Sequence, residues 1–317
     1  MDTTKKIYFL LLITFALFTS KPVFAQPQTL SFSNLTFEVS TSKEEFLQAE
    51  PIPITFKISN TTNYTIIGHW AVDFDFPYIQ AFIYRDGKRY SMQQYFSVDG
   101  LKTFIPSPIK PSEFHQKTQV IDFGLEKMFP TPGTYQIEFV LQDTEWKNKA
   151  SREELKANVL TIQIMTPQQQ DLEALKFMQR HGEWSDYFDI KKMIADKKVL
   201  RAAEEFLLKF GDTTYGDYIN LKVAEFYLFV GNSRGDLDPE TGEIIVSSSS
   251  PDEVIKYLKD LCNKSEFALA DRALSYLALA QSKKGDLEKA KDTLDLLKAR
   301  YPNSEYIRTT SIPLGKN

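Results

Sequence analysis

The chain has 317 residues, of which 42% are hydrophobic and 25% are charged, and its formal net charge is -4 at pH 7. These fractions are those of a folded globular protein with room for two domains, and they exclude a mainly disordered chain. The acidic balance argues against nucleic acid and anionic lipid as partners, because both carry negative charge.

The first 25 residues have the pattern of a secretory signal peptide. Lys5 and Lys6 precede an apolar run over residues 7–18, and residues 23–25 provide a cleavage position before Gln26. The run is too short to span a bilayer comfortably, and no later stretch is long and uncharged enough to do so. No cysteine lies near residue 26 to accept a lipid. We therefore expect an exported protein, periplasmic or extracellular, without a lipid anchor.

The only cysteine, Cys262, cannot form an intramolecular disulfide. No base accompanies it in sequence, so we expect a small buried apolar residue rather than a nucleophile. Stability must then come from core packing.

The sequence pattern of residues 30–165 predicts short strands and turns, with no helix. Asp-Gly at 86–87 and Pro-Gly at 132–133 predict tight turns between strands. About seven short strands with such turns predict a β-sandwich over residues 26–166. One strand should bury the alternating residues Ile52, Ile54, Phe56 and Ile58.

Three segments precede predicted strands: Glu-Pro-Ile at 50–52, Lys-Pro-Ser-Glu at 110–113 and Pro-Gly-Thr-Tyr at 132–135. This arrangement resembles the immunoglobulin-like domains of secreted bacterial proteins. The resemblance implies that Tyr135 packs at a corner of the sandwich, where its substitution would destabilise the fold. The antibody-type disulfide is excluded because the chain lacks a cysteine pair.

Helical periodicity begins after Thr166-Pro167 and predicts an all-α domain over residues 167–308, with a loop insertion at 231–251 and a tail at 309–317. Its clearest part is a helical hairpin over residues 271–303. Gly285-Asp286 separates the two helices, and Pro302 ends the second. The apolar positions that recur at helical spacing are Leu274, Leu277, Ala278, Leu287, Ala290, Leu294 and Leu297.

The hairpin resembles a tetratricopeptide repeat, since small residues, Ala278 and Ala290, lie where antiparallel helices must approach closely. It departs from the family pattern at Gln281, where an aromatic residue is usual. Two pairs of segments have similar sequence patterns: residues 206–215 match 296–304, and residues 216–229 match 268–284. This similarity predicts two related helical units. The resemblance implies binding of another protein or peptide on one helical face. The candidate partner-binding residues are Tyr218, Lys222, Arg272 and Gln281.

A calcium loop is the best metal candidate, but the match is incomplete. Asp236, Asp238 and Glu240 alternate as the carboxylates of such a loop do. The required glycine and bidentate acid are replaced by Thr241 and Ser247. The favoured interpretation is a solvated hairpin.

A second polar cluster lies around Trp70, where strand alternation would place His69, Asp73 and Asp75 on one face. A solvated strand face is the simpler interpretation, and a ligand site is the alternative. None of the histidines at 69, 115 and 181 has the spacing of a zinc site. Phosphate-binding glycine loops and nucleophile elbows are absent from the sequence, so we predict no cofactor.

The sequence therefore predicts a multi-domain protein, an immunoglobulin-like β-sandwich followed by a tetratricopeptide-like helical array. The leading hypothesis for its function is a secreted or periplasmic, non-catalytic protein-binding scaffold. Two alternatives remain open: a secreted hydrolase that uses the acidic residues Asp73 and Asp75, and a sandwich that inhibits proteases. The expected partner is another protein or peptide, without nucleic acid and without a membrane span.

Overall fold

In a computed structural model of the protein, the chain is rich in β-strands up to Met165 and mainly helical from Gln169 onward. The structure describes residues 34–68, 79–92, 107–122, 125–142, 154–181, 187–188, 193, 197–229, 236–237, 244–245, 250–264 and 266–310. The predicted signal peptide, the strand around Trp70 and the final residues of the tail lie outside these ranges.

The β-strands of the described residues form two larger sheets and two small paired segments. The strands are β1 (Leu35–Ser40), β2 (Glu45–Leu47), β3 (Ile52–Asn60), β4 (Ile66–Gly68), β5 (Ile79–Arg85), β6 (Lys88–Ser91), β7 (Ser107–Ile109), β8 (Phe114–Ile121), β9 (Gly133–Gln142), β10 (Glu154–Lys156), β11 (Leu160–Met165), β12 (Asp236–Leu237) and β13 (Ile244–Ile245). One sheet has the order β1-β3-β8, and the other has the order β2-β11-β9-β5-β6, with β10 also paired to β9.

The two sheets share one hydrophobic core. Alternation along β3 turns Ile54, Phe56 and Ile58 inward, and each is 0% exposed. Phe56 meets Phe139 of β9 edge to face, with ring centroids 5.1 Å apart. This confirms the predicted apolar face, which extends back to Ile52, also 0% exposed.

Tyr135 lies in this core at the start of β9 and is 1% exposed. Its hydroxyl donates to the carbonyl oxygen of Thr131 at 2.7 Å, and its ring packs edge to face on Phe129 at 5.1 Å. A buried tyrosine needs such a partner for its hydroxyl. The structure thus places Tyr135 where a substitution would affect packing.

The expectation that residues 30–165 contain no helix is wrong at one position. Helix α1 (Leu125–Met128) forms a single turn between β8 and β9. Leu125 and Met128 are three residues apart, so both point to one side and are buried. This contact with the core stabilises a turn too short to show helical periodicity.

The helices that follow pack in sequence against their neighbours. They are α2 (Gln169–His181), α3 (Lys197–Phe210), α4 (Thr214–Phe229), α5 (Pro251–Leu258), α6 (Ala270–Lys284), α7 (Leu287–Arg300) and α8 (Tyr306–Thr309), with a 3₁₀ turn at Leu261–Asn263. Gly285 ends α6 in the left-handed conformation, at φ 92°, which favours glycine. The predicted hairpin is confirmed as a pair of helices, with Ala278 and Ala290 both 0% exposed between them.

Because Ala278 is 0% exposed in α6, Ala278→Leu should overpack the α6–α7 hairpin and lower the free energy of unfolding by about 1–3 kcal/mol. Urea unfolding measures this change. The matched control is Ala299→Leu on the exposed side of α7, where we expect a change within about 0.5 kcal/mol. Equal stability of both variants would contradict close packing at Ala278.

Candidate functional site

The β-rich and helical regions meet at the turn between β2 and β3, which inserts into the helical core. Ala49 is 4% exposed and belongs to that core, with Leu47 packed against it. Ala49 has φ 67°, a left-handed conformation that costs an L residue about 1–2 kcal/mol. The turn is held by hydrogen bonds from the Leu47 N–H to Glu50 Oε2 at 2.8 Å and from the Glu50 N–H to the Leu47 carbonyl at 2.9 Å.

Two tyrosines at the start of α4 bind this turn. The Tyr215 hydroxyl donates to the Gln48 carbonyl oxygen at 2.6 Å, and the Tyr218 hydroxyl donates to Glu50 Oε1 at 3.0 Å. Both phenols are buried, which raises the pKa of each above its ordinary value. They therefore remain protonated donors at neutral pH.

Glu50 carries the buried charge of the turn and is 1% exposed. Burial raises the pKa of its carboxyl above the usual range, and Lys43 offsets part of this effect. The Lys43 ammonium lies 2.5 Å from Glu50 Oε1 and 4.9 Å from the ring centroid of Phe46. Glu50 is therefore paired on all sides, as a buried carboxylate requires.

A second polar contact joins the two regions through α4 and α6. Lys222 lies 3.3 Å from Asp122, directly after β8, and 3.7 Å from Glu225. Arg272 donates to Glu225 at 2.6 Å and to the Tyr276 hydroxyl at 2.9 Å. Burial alone would raise the pKa of Glu225, but Arg272 and Lys222 outweigh it and hold this pKa below its usual range.

A third contact covers one side of β8. The Thr118 N–H donates to Glu305 Oε1 at 3.2 Å, and Gln116 Nε2 donates to the Asn303 carbonyl at 3.4 Å. Burial raises the pKa of Glu305, partly offset by its bond from Thr118. Residues just before α8 thus satisfy backbone and side-chain donors of this strand, as protection of a sheet edge requires.

The structure places the four candidate partner-binding residues in contacts within this chain. Tyr218 and Lys222 bind the β-rich region, and Arg272 pairs with Glu225. Gln281 lies apart from them, and its Oε1 accepts from Thr293 at 2.8 Å. The resemblance to the tetratricopeptide family suggested this helical face, but it could not show that the β-rich region contacts Tyr218 and Lys222 there. Their role in binding a partner stays a prediction.

A cleft of about 420 Å³ opens beside the inserted turn, between the two regions. Its walls come from the start of α4, the segment that leads into α6, and the β-rich region. The lining residues are Lys43, Glu50, Asp212, Thr214, Asp217, Tyr218, Asn263, Lys264, Glu266, Phe267 and Ala268. Of the predicted site residues, only Tyr218 is among them. The cleft was missed because its wall residues, from Lys43 to Ala268, are up to 225 positions apart and share no motif.

Charged pairs and one aromatic pair form the inner wall of the cleft. Lys264 lies 2.5 Å from Asp217, whose pKa is raised by burial and partly lowered again by Lys264. Tyr218 and Phe267 pack edge to face with ring centroids 5.2 Å apart. Two further acids, Asp212 and Glu266, are exposed at the cleft.

The remaining sequence candidates are only partly placed. Cys262 is 3% exposed, and burial raises the pKa of its thiol to about 12, so it is a protonated apolar side chain. Asp236 pairs with Ile245 where β12 meets β13, as a hairpin requires, but Asp238 and Glu240 lie outside the described residues. His69, Asp73 and Asp75 lie outside them as well.

Within the described ranges the chain has neither a metal-binding cluster nor a helix that could span a membrane. No group of three His, Cys, Asp or Glu side chains there could hold a metal ion. None of the helices described is long and apolar enough to cross a membrane.

No protein-family profile and no curated protein sequence matches the chain. Some solved structures resemble part of it. The CARDB domain of a Pyrococcus furiosus protein is 12% identical, covering 42% of this chain and 96% of its own, with a TM-score of 0.24. The sporulation control protein Spo0M of Bacillus subtilis is 12% identical, covering 47% of this chain and 56% of its own, with a TM-score of 0.23. A Listeria innocua β-glucosidase is 14% identical, covering 39% of this chain and 16% of its own, with a TM-score of 0.20. Likeness this low assigns neither family nor function.

Glu50→Gln should change how stability depends on pH. The Glu50 carboxyl has a raised pKa in the folded protein, against an ordinary value of 4.5. Its contribution to stability is therefore fully present below the unfolded-state pKa and is lost as the pH rises through the folded-state pKa. The free energy of unfolding of the variant, minus that of the wild type, should rise across this window in urea titrations from about pH 4 to about pH 8. The same substitution at exposed Glu45 is the control, and an equal slope for both variants would contradict the prediction.

Arg272→Met should leave the Glu225 carboxylate buried without its closest cation. Breaking a buried ion pair in this way costs about 3–5 kcal/mol. The double variant Arg272→Met, Glu225→Leu removes both charges and should recover most of the loss. Urea unfolding of both variants tests this, and a single variant as stable as the wild type would show that the pair carries no structural role.

Proposed function

We propose that this chain is an exported, non-catalytic module that binds another polypeptide in the cleft between its two regions. The observation that carries the proposal is the cleft itself, about 420 Å³ and walled by residues of both regions. This volume is within the range of about 300–1,000 Å³ found for binding clefts. It accommodates a side chain of a partner together with its adjacent backbone.

The chemistry of the cleft favours binding over catalysis. A general base needs a carboxylate or imidazole free to accept a proton, and a nucleophile needs such a base beside it. Glu50 and Asp217 are instead held in ion pairs with Lys43 and Lys264. The Tyr218 phenol is a protonated donor to Glu50. These contacts keep the inner polar groups of the wall, Glu50, Asp217 and Tyr218, in structural use, whereas Asp212 and Glu266 are exposed at the cleft.

The finer architecture is part of the proposal. We assign the β-rich region to an immunoglobulin-like sandwich, supported by two sheets around one core and by the Tyr135 hydroxyl that returns to the backbone at Thr131. The helical region is assigned to a tetratricopeptide-like array, supported by the α6–α7 hairpin with Ala278 and Ala290 at its close approach. The basic and apolar pattern of residues 1–25 supports export and cleavage before Gln26.

Affinity capture tests the proposal. The bait is residues 26–317, added to the extracellular or envelope fraction of the source cells. Ala268→Trp should fill the cleft, since Ala268 lines it and is half-buried. The control Ala299→Trp adds the same ring on the exposed side of α7, away from the lining residues.

The wild type and the Ala299→Trp variant should each recover one stoichiometric protein, and Ala268→Trp should lose it. Thermal unfolding checks that both variants are folded. Equal recovery by both variants would exclude the cleft as the binding site. Failure of the wild type to recover any protein would contradict a binding function.

A further inference from the structure

We propose that Asn63, in the turn between β3 and β4, is a site of N-linked glycosylation. This inference goes beyond polypeptide binding and rests on the export part of the proposed function, because the motif that carries it is an acceptor in secreted proteins. It follows from a sequence motif that occurs four times in the chain and from what the structure shows at each position.

The motif is asparagine, then any residue except proline, then serine or threonine, and its asparagine accepts an N-linked oligosaccharide. It begins at Asn34, Asn60, Asn63 and Asn263. An attached oligosaccharide is bulky and hydrated, so its asparagine must lie on the surface of the folded protein. The fold therefore decides which of the four motifs is usable.

Asn60 has a structural role that an oligosaccharide would abolish. Asn60 is 2% exposed, and its Nδ2 donates to the carbonyl oxygens of Tyr64 and Ile109 at 2.8 and 2.9 Å. Glycosylation replaces one of the two amide hydrogens, so one of these buried carbonyl groups would lose its hydrogen bond from Asn60. Asn60 is therefore excluded as an acceptor in the folded chain.

The amides of Asn34 and Asn263 are also in use. Asn34 is half-buried, and its Nδ2 donates to the Tyr64 hydroxyl at 2.8 Å. Asn263 Nδ2 donates to the Lys259 carbonyl oxygen at 3.2 Å, and Asn263 lines the cleft. An oligosaccharide on Asn263 would occupy the space in which the partner is proposed to bind.

Asn63 is held where an oligosaccharide costs no contact. Asn63 and Thr65 are both exposed, and no hydrogen bond is seen for the Asn63 side chain within the described part of the chain. Asn60 fixes the turn on both sides of Asn63, since its Oδ1 accepts from the Thr62 N–H at 2.8 Å and its Nδ2 donates to the Tyr64 carbonyl oxygen. The buried asparagine of one motif thus presents the asparagine of the next to solvent.

The modification is a group transfer from a carrier that the exporting cell supplies. Asn63 Nδ2 forms a bond to the anomeric carbon of an oligosaccharide linked to a polyprenyl diphosphate. The bond from that carbon to the diphosphate oxygen breaks, the amide gives up one proton, and the polyprenyl diphosphate leaves. The chain contributes the acceptor amide and the Thr65 hydroxyl, and their exposure lets a transferase of the cell reach both.

Mass spectrometry of the protein purified from the source cells tests the inference. The intact mass should exceed that of residues 26–317 by one oligosaccharide, and proteolytic fragments should place it on Asn63. Asn63→Gln and Thr65→Ala should each lose the added mass, because each removes a required part of the motif. Thr65→Ser keeps a hydroxyl and should retain the added mass. Asn34→Gln is the matched control at another motif and should also retain it.

The position of the N-terminus separates this inference from export. An unmodified Asn63 in a chain that begins at Gln26 would overturn the inference and leave export intact. An unmodified chain that retains residues 1–25 would contradict both. An oligosaccharide on Asn34, Asn60 or Asn263 in place of Asn63, or one that persists in Thr65→Ala, would also overturn the inference.

Discussion

The insertion of the β2–β3 turn into the helical core is the contact on which the rest of the structure depends. Ala49 is buried among helical residues although its neighbours in sequence belong to a sheet. This placement brings the Glu50 carboxylate out of water, where it is tolerated because Lys43, Tyr218 and the Leu47 N–H pair with it. The strained backbone at Ala49 and the buried charge both persist because the surrounding contacts hold them.

Directional polar contacts also join the two regions. The network from Asp122 through Lys222 and Glu225 to Arg272 requires one relative placement of β8, α4 and α6. The contact of Glu305 with Thr118 requires the same placement near the middle of β8. An apolar interface can slide, whereas hydrogen-bonded charges lose their partners when displaced. The network therefore specifies the orientation that creates the cleft.

The cleft exists only while the two regions are docked, because Lys43 and Glu50 come from one and the remaining lining from the other. A ligand that contacts both walls must then favour the docked arrangement, and docking must favour the ligand to the same extent. Binding and interdomain contact are in this way two aspects of one equilibrium. Tyr218 connects the cleft to the docking contact, because this one side chain lines the cleft and donates a hydrogen bond to Glu50 of the inserted turn.

The sequence by itself determined the local elements. Period-two alternation placed Ile54, Phe56 and Ile58 on a buried strand face, and helical spacing with Gly285 placed the α6–α7 hairpin, because these patterns depend on near neighbours along the chain. Only the tertiary structure decided what covers each face. Lys222 and Arg272 were predicted on a surface open to a partner, but they lie in the junction, where Asp122 and Glu225 neutralise them. The cleft brings Glu50 close to Lys264, and no periodicity encodes a contact between groups so distant in sequence.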